Sequence, residues 1–133
     1  MKVFIVDDSR VIVERLTRLL DEVPGVEFVG SANDAQHAVE RILEMAPDTL
    51  VLDLHMPGGS GLDVLRAIRP ALPGLHVLVC TNYPHAEYRQ ECLAAGADYF
   101  MDKSTEFEKI PSILRELMQK EAKVPQAARR APY

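Results

Sequence analysis

The segment Leu50-Val51-Leu52-Asp53-Leu54-His55-Met56-Pro57-Gly58-Gly59-Ser60-Gly61 decides the fold. Three consecutive aliphatic residues without polar alternation read as a strand covered on both faces, the condition of an inner strand in a parallel sheet. A carboxylate follows at once, and a proline and glycine loop then leads into an amphipathic helix carrying Leu62, Leu65 and Ile68. Strand, loop and helix in that order make one βα unit. A charge directly after such an apolar run is poorly placed as ordinary surface, which singles out Asp53.

The same unit recurs on either side. Val3-Phe4-Ile5-Val6 precedes Asp7-Asp8 and a helix capped by Ser9, with Ile12, Leu16, Leu19 and Leu20 on its inner stripe and Pro24-Gly25 at its end. Residues 26–31 form a less apolar strand suited to a sheet edge. Asp34 then caps a helix bearing Ala38, Ile42 and Met45, stopped by Pro47. Val77-Leu78-Val79-Cys80 is the fourth strand, and its helix is expected to hold Pro84 in the first turn and to run to Gly96. Tyr99-Phe100-Met101 is the fifth strand. A proline inside a helix costs about 3 kcal/mol, so the last helix, with Ile113, Leu114, Leu117 and Met118, is expected to start at about Pro111 after a short turn over residues 105–110. Five such units predict one α/β domain over residues 1–121. Residues 122–133 lack apolar periodicity and are expected to form a disordered tail.

Composition narrows the function. With 133 residues, 47% of them hydrophobic, the chain can bury a core without disulfide or metal staples. Its 15 Lys+Arg against 20 Asp+Glu give a net charge of -5, and no basic stripe is present to neutralise nucleic-acid phosphates. Cys80 and Cys92 lack the paired spacing of a zinc or redox site and are expected as buried thiols in a reducing compartment. No stretch approaches the roughly 20 apolar residues needed to span a bilayer. The first residues are already strand-like, with no charged leader and apolar stretch, so a cytoplasmic location is expected.

Chemistry concentrates where strands end, because loops at the carboxyl edge of an open α/β sheet line its binding crevice. Asp7, Asp8, Asp53 and Lys103 all follow strands there. Carboxylates about 4 Å apart repel by roughly 4 kcal/mol at an effective dielectric near 20, a cost that a divalent cation removes. Oxygen-only ligands with few protein groups suit Mg2+. With the charge compensated, Asp53 can attack phosphorus, and Lys103 is expected to pair with Asp53 before transfer and with the phosphoryl group after it. Asp7-Asp8-Ser9 allows two readings, a helix N-cap or a metal-ligand pair.

In order and spacing these residues resemble the receiver domains of bacterial two-component response regulators. The motifs are Val6-Asp7-Asp8-Ser9, Asp53 through Gly61, Thr81 at the fourth strand, and Gly96-Ala97-Asp98-Tyr99-Phe100-Met101-Asp102-Lys103. The resemblance covers about residues 1–121. It implies a flavodoxin-like (βα)5 doubly wound parallel sheet of five strands in order 2-1-3-4-5. It also implies that Asp53 accepts phosphate from the phosphohistidine of a sensor histidine kinase or phosphotransfer protein. Asp8 and Asp53 would then hold Mg2+ together with the backbone carbonyl of His55, and Asp7 through water. Thr81 would turn its hydroxyl onto the phosphoryl oxygens, and Phe100 stands at the rotameric switch position of the family. Phosphorylation would remodel the face of the fourth helix, fifth strand and fifth helix for a downstream protein partner or a homodimer. The implied role is signalling without enzymatic activity beyond self-phosphorylation and autodephosphorylation.

Three departures from the family pattern stand out. Asn82 replaces the small residue usual after Thr81 and bears on donor access or phosphoryl lifetime. His55, Asn82 and Tyr83 together would crowd the path of the hydrolysing water. Ser104 replaces a proline; a non-proline cis bond costs about 3 kcal/mol, which puts cis geometry at that bond in question. Phe100 lacks a hydroxyl, and a plain core aromatic is the competing reading there. Tyr99 must point to the opposite face of the strand.

Other classes fit less well. An aspartate-nucleophile phosphatase needs a second aspartate two residues after the first, where this chain has His55. A flavodoxin needs a Ser/Thr/Gly-rich phosphate loop after the first strand, where Asp7-Asp8 would repel phosphate. A phosphorylation-independent adaptor is opposed by the intact Asp8, Asp53, Thr81 and Lys103. A stand-alone receiver is expected in preference to the N-terminal fragment of a DNA-binding regulator.

Overall fold

The computed structural model describes residues 1–122; the tail expected over residues 122–133 lies outside the described residues except for Ala122, which is the last residue of a helix. Five parallel strands, β1 (Lys2–Val6), β2 (Glu27–Ala32), β3 (Thr49–Leu52), β4 (His76–Thr81) and β5 (Tyr99–Asp102), pair in the order β2-β1-β3-β4-β5. The helices are α1 (Arg10–Asp21), α2 (Ala35–Met45), α3 (Gly61–Ile68), α4 (Ala86–Ala94) and α5 (Ile110–Ala122). This is the flavodoxin-like arrangement, with β1 and β3 adjacent at the centre.

Side-chain alternation along each strand divides the core into two layers. Phe4 and Val6 of β1, Leu50 and Leu52 of β3, and Val77 and Val79 of β4 pack with Ile42, Val64, Leu65 and Ile68 from α2 and α3. Val3, Ile5, Val51, Leu78 and Cys80 face the other way and pack with Leu16 and Leu20 of α1 and Leu114 and Leu117 of α5. β3 is buried at every position, as its unbroken apolar run requires, whereas β2 at the edge has no buried residue. Both cysteines are buried.

Local chemistry sets the boundaries. The Ser9 hydroxyl accepts from the Ile12 N–H to open α1, and Asp34 does the same for His37 N–H at α2. Ser60 and Asp63 form a reciprocal capping box at α3. The glycine loop after β3 is more ordered than its sequence implies: His55–Met56 and Gly59–Ser60 pair as a short antiparallel ribbon before α3. Pro84 is not in the first turn of α4. His85 is the extended cap residue and the helix starts at Ala86, because proline favours an extended residue before it and the His85 N–H closes a tight turn onto the Tyr83 carbonyl. A 3-10 turn over Phe107–Lys109 leads into α5, which starts at Ile110, so Pro111 occupies a first-turn position where its missing N–H costs nothing.

Arg69 ties two connections together. Its guanidinium donates to the carbonyls of Leu72, Pro73 and Leu75 before β4 and to that of Gly96 before β5. Gly96 has φ +108, and a Cβ there would lie 2.7 Å from Arg69 Nε, so both conformation and space demand glycine.

Gly61 has the least room for a side chain of the described glycines. A Cβ on it would lie 2.1 Å from the backbone oxygen of Asp53, so α3 abuts the chain at the end of β3. Gly61→Ala is expected to lower stability by about 2 kcal/mol or more, since backbone rather than a flexible side chain must yield. Urea unfolding of the variant beside the parent measures this, and an unchanged midpoint would show that the loop after β3 absorbs a methyl group freely.

Candidate functional site

Strand register brings the marked residues together. Val6 lies opposite Leu52, and the Asp53 N–H donates to the Val6 carbonyl at 2.9 Å, so Asp7 and Asp53 leave adjacent strands side by side. Thr81 lies opposite Asp102, and the Lys103 N–H donates to the Thr81 carbonyl at 2.8 Å, which delivers the lysine to the same edge. Carboxylate oxygens of Asp7, Asp8 and Asp53 all lie within 4.8 Å of one another. Asp7, Asp53, Thr81 and Lys103 are buried, while Asp8 is exposed.

Lys103 does not choose Asp53 as its nearest partner. Its Nζ hydrogen-bonds Asp7 Oδ2 at 2.7 Å and stands 3.4 Å from Asp53 Oδ1. The other oxygen of Asp7 accepts from the Ser9 N–H at 2.8 Å, so Asp7 is the most tightly held carboxylate of the three. Ser9, not an aspartate, supplies the α1 cap. Among the described residues no cation pairs with Asp8.

These contacts shift the titrations. Burial raises the pKa of Asp53 above the usual carboxylate value, the Lys103 charge pulls it back, and the Asp7 charge raises it further. Burial disfavours the charged form of Lys103, but the Asp7 hydrogen bond and the charges of Asp53 and Asp7 outweigh this and raise its pKa. One ammonium serving two buried carboxylates, with a third carboxylate beside them, leaves net negative charge at a point lined by oxygen donors. That donor set fits a hard divalent cation.

Around this centre, the Thr81 hydroxyl is fully buried and accepts from the Tyr83 N–H at 3.0 Å. Phe100 is buried in the layer with α2 and α3, and Tyr99 points to the other layer, as strand parity demands. No cis peptide bond occurs among the described residues, and Ser104 uses its N–H and hydroxyl on Asp102 Oδ1. Asn82 and Tyr83 are exposed.

One feature has no clear sequence signal. The His55 ring meets Tyr83 edge-on at 4.6 Å between centroids and Tyr88 at 5.6 Å, joining the loop after β3 to the start of α4. Tyr88 sits on a helix without a distinct apolar stripe, so nothing in the periodicity marks it.

A family model for the response regulator receiver domain matches residues 3–115. The chain belongs to this family. The receiver is 36% identical over 135 residues to protein-glutamate methylesterase/protein-glutamine glutaminase 5 of Myxococcus xanthus, covering 99% of this chain and 39% of that protein. It is 34% identical over 103 residues to the DNA-binding transcriptional activator DevR/DosR of Mycobacterium tuberculosis, covering 77% of this chain and 48% of that one. Among solved structures, the response regulator domain of Thermotoga maritima CheB superposes with TM-score 0.78 at 29% identity, covering 94% of this chain and 98% of that one. The receiver spans about half or less of the length of these two curated relatives. No described helix is long and apolar enough to cross a membrane.

The raised pKa of Asp53 carries a stability consequence. The folded state holds the Asp53 proton more tightly than the unfolded chain, so this residue's contribution is fully present below the unfolded pKa and is lost as pH rises through the folded value. Asp53→Asn removes that loss. The metal-free variant is expected to melt above the parent at pH 7, with the gap closing as pH falls through the carboxylate range. Calorimetric melts across that range check it, and a parent that is the more stable at pH 7 would contradict it.

Proposed function

We infer that this receiver takes a phosphoryl group onto Asp53 from the phosphohistidine of a sensor histidine kinase or phosphotransfer protein, in a Mg2+-dependent reaction. The observation that carries the reading is the buried Asp53 at the end of the inner strand, within 4.8 Å of two further carboxylates and 3.4 Å of Lys103 Nζ. In the transfer an Asp53 carboxylate oxygen bonds to phosphorus, the donor P–N bond breaks, and the leaving imidazole keeps the electron pair and takes up a proton. The product is an aspartyl phosphate.

Asp8 and Asp53 would hold the cation with the His55 backbone carbonyl, and Asp7, already engaged by Lys103 and Ser9, would reach it through water. Bound there, Mg2+ supplies charge neutralisation for the carboxylates and for the incoming phosphoryl oxygens. Lys103 is close enough to Asp53 to follow the new negative charge. The Thr81 hydroxyl now serves the Tyr83 N–H and would exchange that contact for a phosphoryl oxygen. Phe100 lies in the same sheet, and the face of α4, β5 and α5 is the proposed output surface for a protein partner or a second copy. No enzymatic activity beyond self-phosphorylation and autodephosphorylation is part of this reading, and its setting is the cytoplasm.

A small-molecule phosphodonor tests the centre of the proposal. With Mg2+ the parent is expected to gain one hydroxylamine-labile phosphoryl group, read by mass spectrometry; chelation or Asp53→Asn is expected to abolish it. Modification that persists in Asp53→Asn would remove the residue from its role.

The ring cluster bears on lifetime. Hydrolysis needs water in line with the leaving oxygen, and the packed rings of His55 and Tyr83 would border that approach. Tyr83→Ala is expected to speed phosphate loss several-fold on a Phos-tag gel, and Asn82→Ala also to shorten the lifetime. Equal decay in the parent and both variants would show that these side chains do not gate the water.

A further inference from the structure

A cleft of about 480 Å3 lies beside the acidic cluster, between α1, the end of β2 and the first turns of α2. Its size falls within the ~300–1,000 Å3 of small-molecule sites. Arg10 stands on the α1 wall, His37 and Arg41 on the α2 wall and Asn33 between them, and Asp7 and Asp8 close the inner end. The roles proposed for Asp53, Thr81 and Lys103 use neither the two arginines nor the histidine.

Arg41 is the informative residue. Its guanidinium lies over the ring of Phe4, 5.8 Å from the centroid, and Phe4 is fully buried in the sheet. The missing side chain of Gly30 provides the room, since a Cβ there would lie 3.0 Å from Arg41 Nη2 and 3.1 Å from Phe4 Cε2. A guanidinium is thus placed against a rigid platform, and among the described residues Arg41 has no ion-pair partner. Arg10 has only a loose, exposed contact with Glu14 at 3.7 Å. His37 bonds Asp34 at 2.5 Å, and that hydrogen bond raises its pKa and extends its cationic form toward neutral pH. Of the two carboxylates that line the cleft, Asp7 is engaged by Lys103, and Asp8 at the inner end has no cation among the described residues.

We propose that this cleft binds the phosphate group of a small phosphomonoester at its Arg41 side, away from the Asp7 and Asp8 end, with Arg41 as its anchor and with Arg10 and His37 exchanging their exposed, weak contacts to Glu14 and Asp34 for phosphate oxygens. Guanidinium groups make charge-assisted, often bidentate bonds to phosphate. Cations on two opposing walls favour a tetrahedral dianion, which presents oxygens in several directions, over a planar carboxylate satisfied by one fork. The cleft would give the domain a metabolite input beside the acidic cluster, at a site other than Asp53.

Glycerol 3-phosphate, a phosphomonoester that is not a phosphodonor, is a direct probe. Titrated into the 15N-labelled protein, it is expected to give saturable shifts of the Ser31, Asn33 and His37 amides. Unphosphorylated glycerol should give none. Arg41→Ala should weaken binding at least tenfold while keeping a folded spectrum, and Arg18→Ala, on an exposed part of α1, should leave it unchanged. Three results would overturn the proposal: no saturation, binding equal in Arg41→Ala, or shifts centred on Thr81 and Lys103. Because Asp53 chemistry is not involved, the outcome is separable from that of the phosphorylation test.

Discussion

The structure depends on one buried ammonium shared by two buried carboxylates. Lys103 reaches Asp7 at 2.7 Å and Asp53 at 3.4 Å, all three largely hidden from water. Burying charges costs several kcal/mol per ion unless geometry and hydrogen bonding offset it. Asp7 is offset twice, by Lys103 and by the Ser9 N–H. Asp53 is offset incompletely, and its raised pKa records the remainder. Of the two buried carboxylates, Asp53, the proposed phosphoacceptor, is therefore the less satisfied. A cation bound beside it, or a proton taken up by it, relieves that imbalance.

The same three residues link the sheet from β1 to β5. Asp7 follows β1, Asp53 follows β3 and Lys103 follows β5, while Thr81, whose carbonyl accepts from the Lys103 N–H, ends β4 between them. A change of charge at Asp53 therefore falls on a contact set spanning four of the five strands. Most of these groups are held by backbone register, which is stiff, so the freedom that remains is in the lysine chain, the threonine hydroxyl and the loops.

Much of this was legible because it follows from periodicity and from positions at strand ends. The unbroken Leu50-Val51-Leu52 run placed β3 inside the sheet, and each aspartate directly after an apolar run could only emerge at the carboxyl edge. The parity of Tyr99 and Phe100 followed from the two-residue repeat of a strand. Distances were not legible. Nothing in the chain says that Lys103 comes nearer to Asp7 than to Asp53, since both follow adjacent strands and the choice depends on ångström-level side-chain reach. The ribbon around Pro57-Gly58 and the start of α4 beyond Pro84 were missed because turn hydrogen bonds outweigh the local preferences of proline and glycine. Arg69, with four carbonyls from two connections, and the cleft lined by Arg10, His37 and Arg41 are assembled from residues that are unremarkable one by one.

The helix that follows Thr81 is the one least anchored. α4 buries only Cys92, and its cap residue His85 makes no side-chain hydrogen bond to the helix. Elements with few buried contacts open at low free energy, so what little holds the start of α4 carries weight. Tyr88 supplies part of it by packing against His55, two residues beyond Asp53, and Tyr83 packs against the same ring from the β4–α4 connection. Displacing the loop after β3 would shift His55 beneath both rings, and a weakly held helix would yield before the capped and buried α3 does. Under the proposed function, this contact would carry a change at Asp53 to the outer surface without requiring the sheet itself to deform.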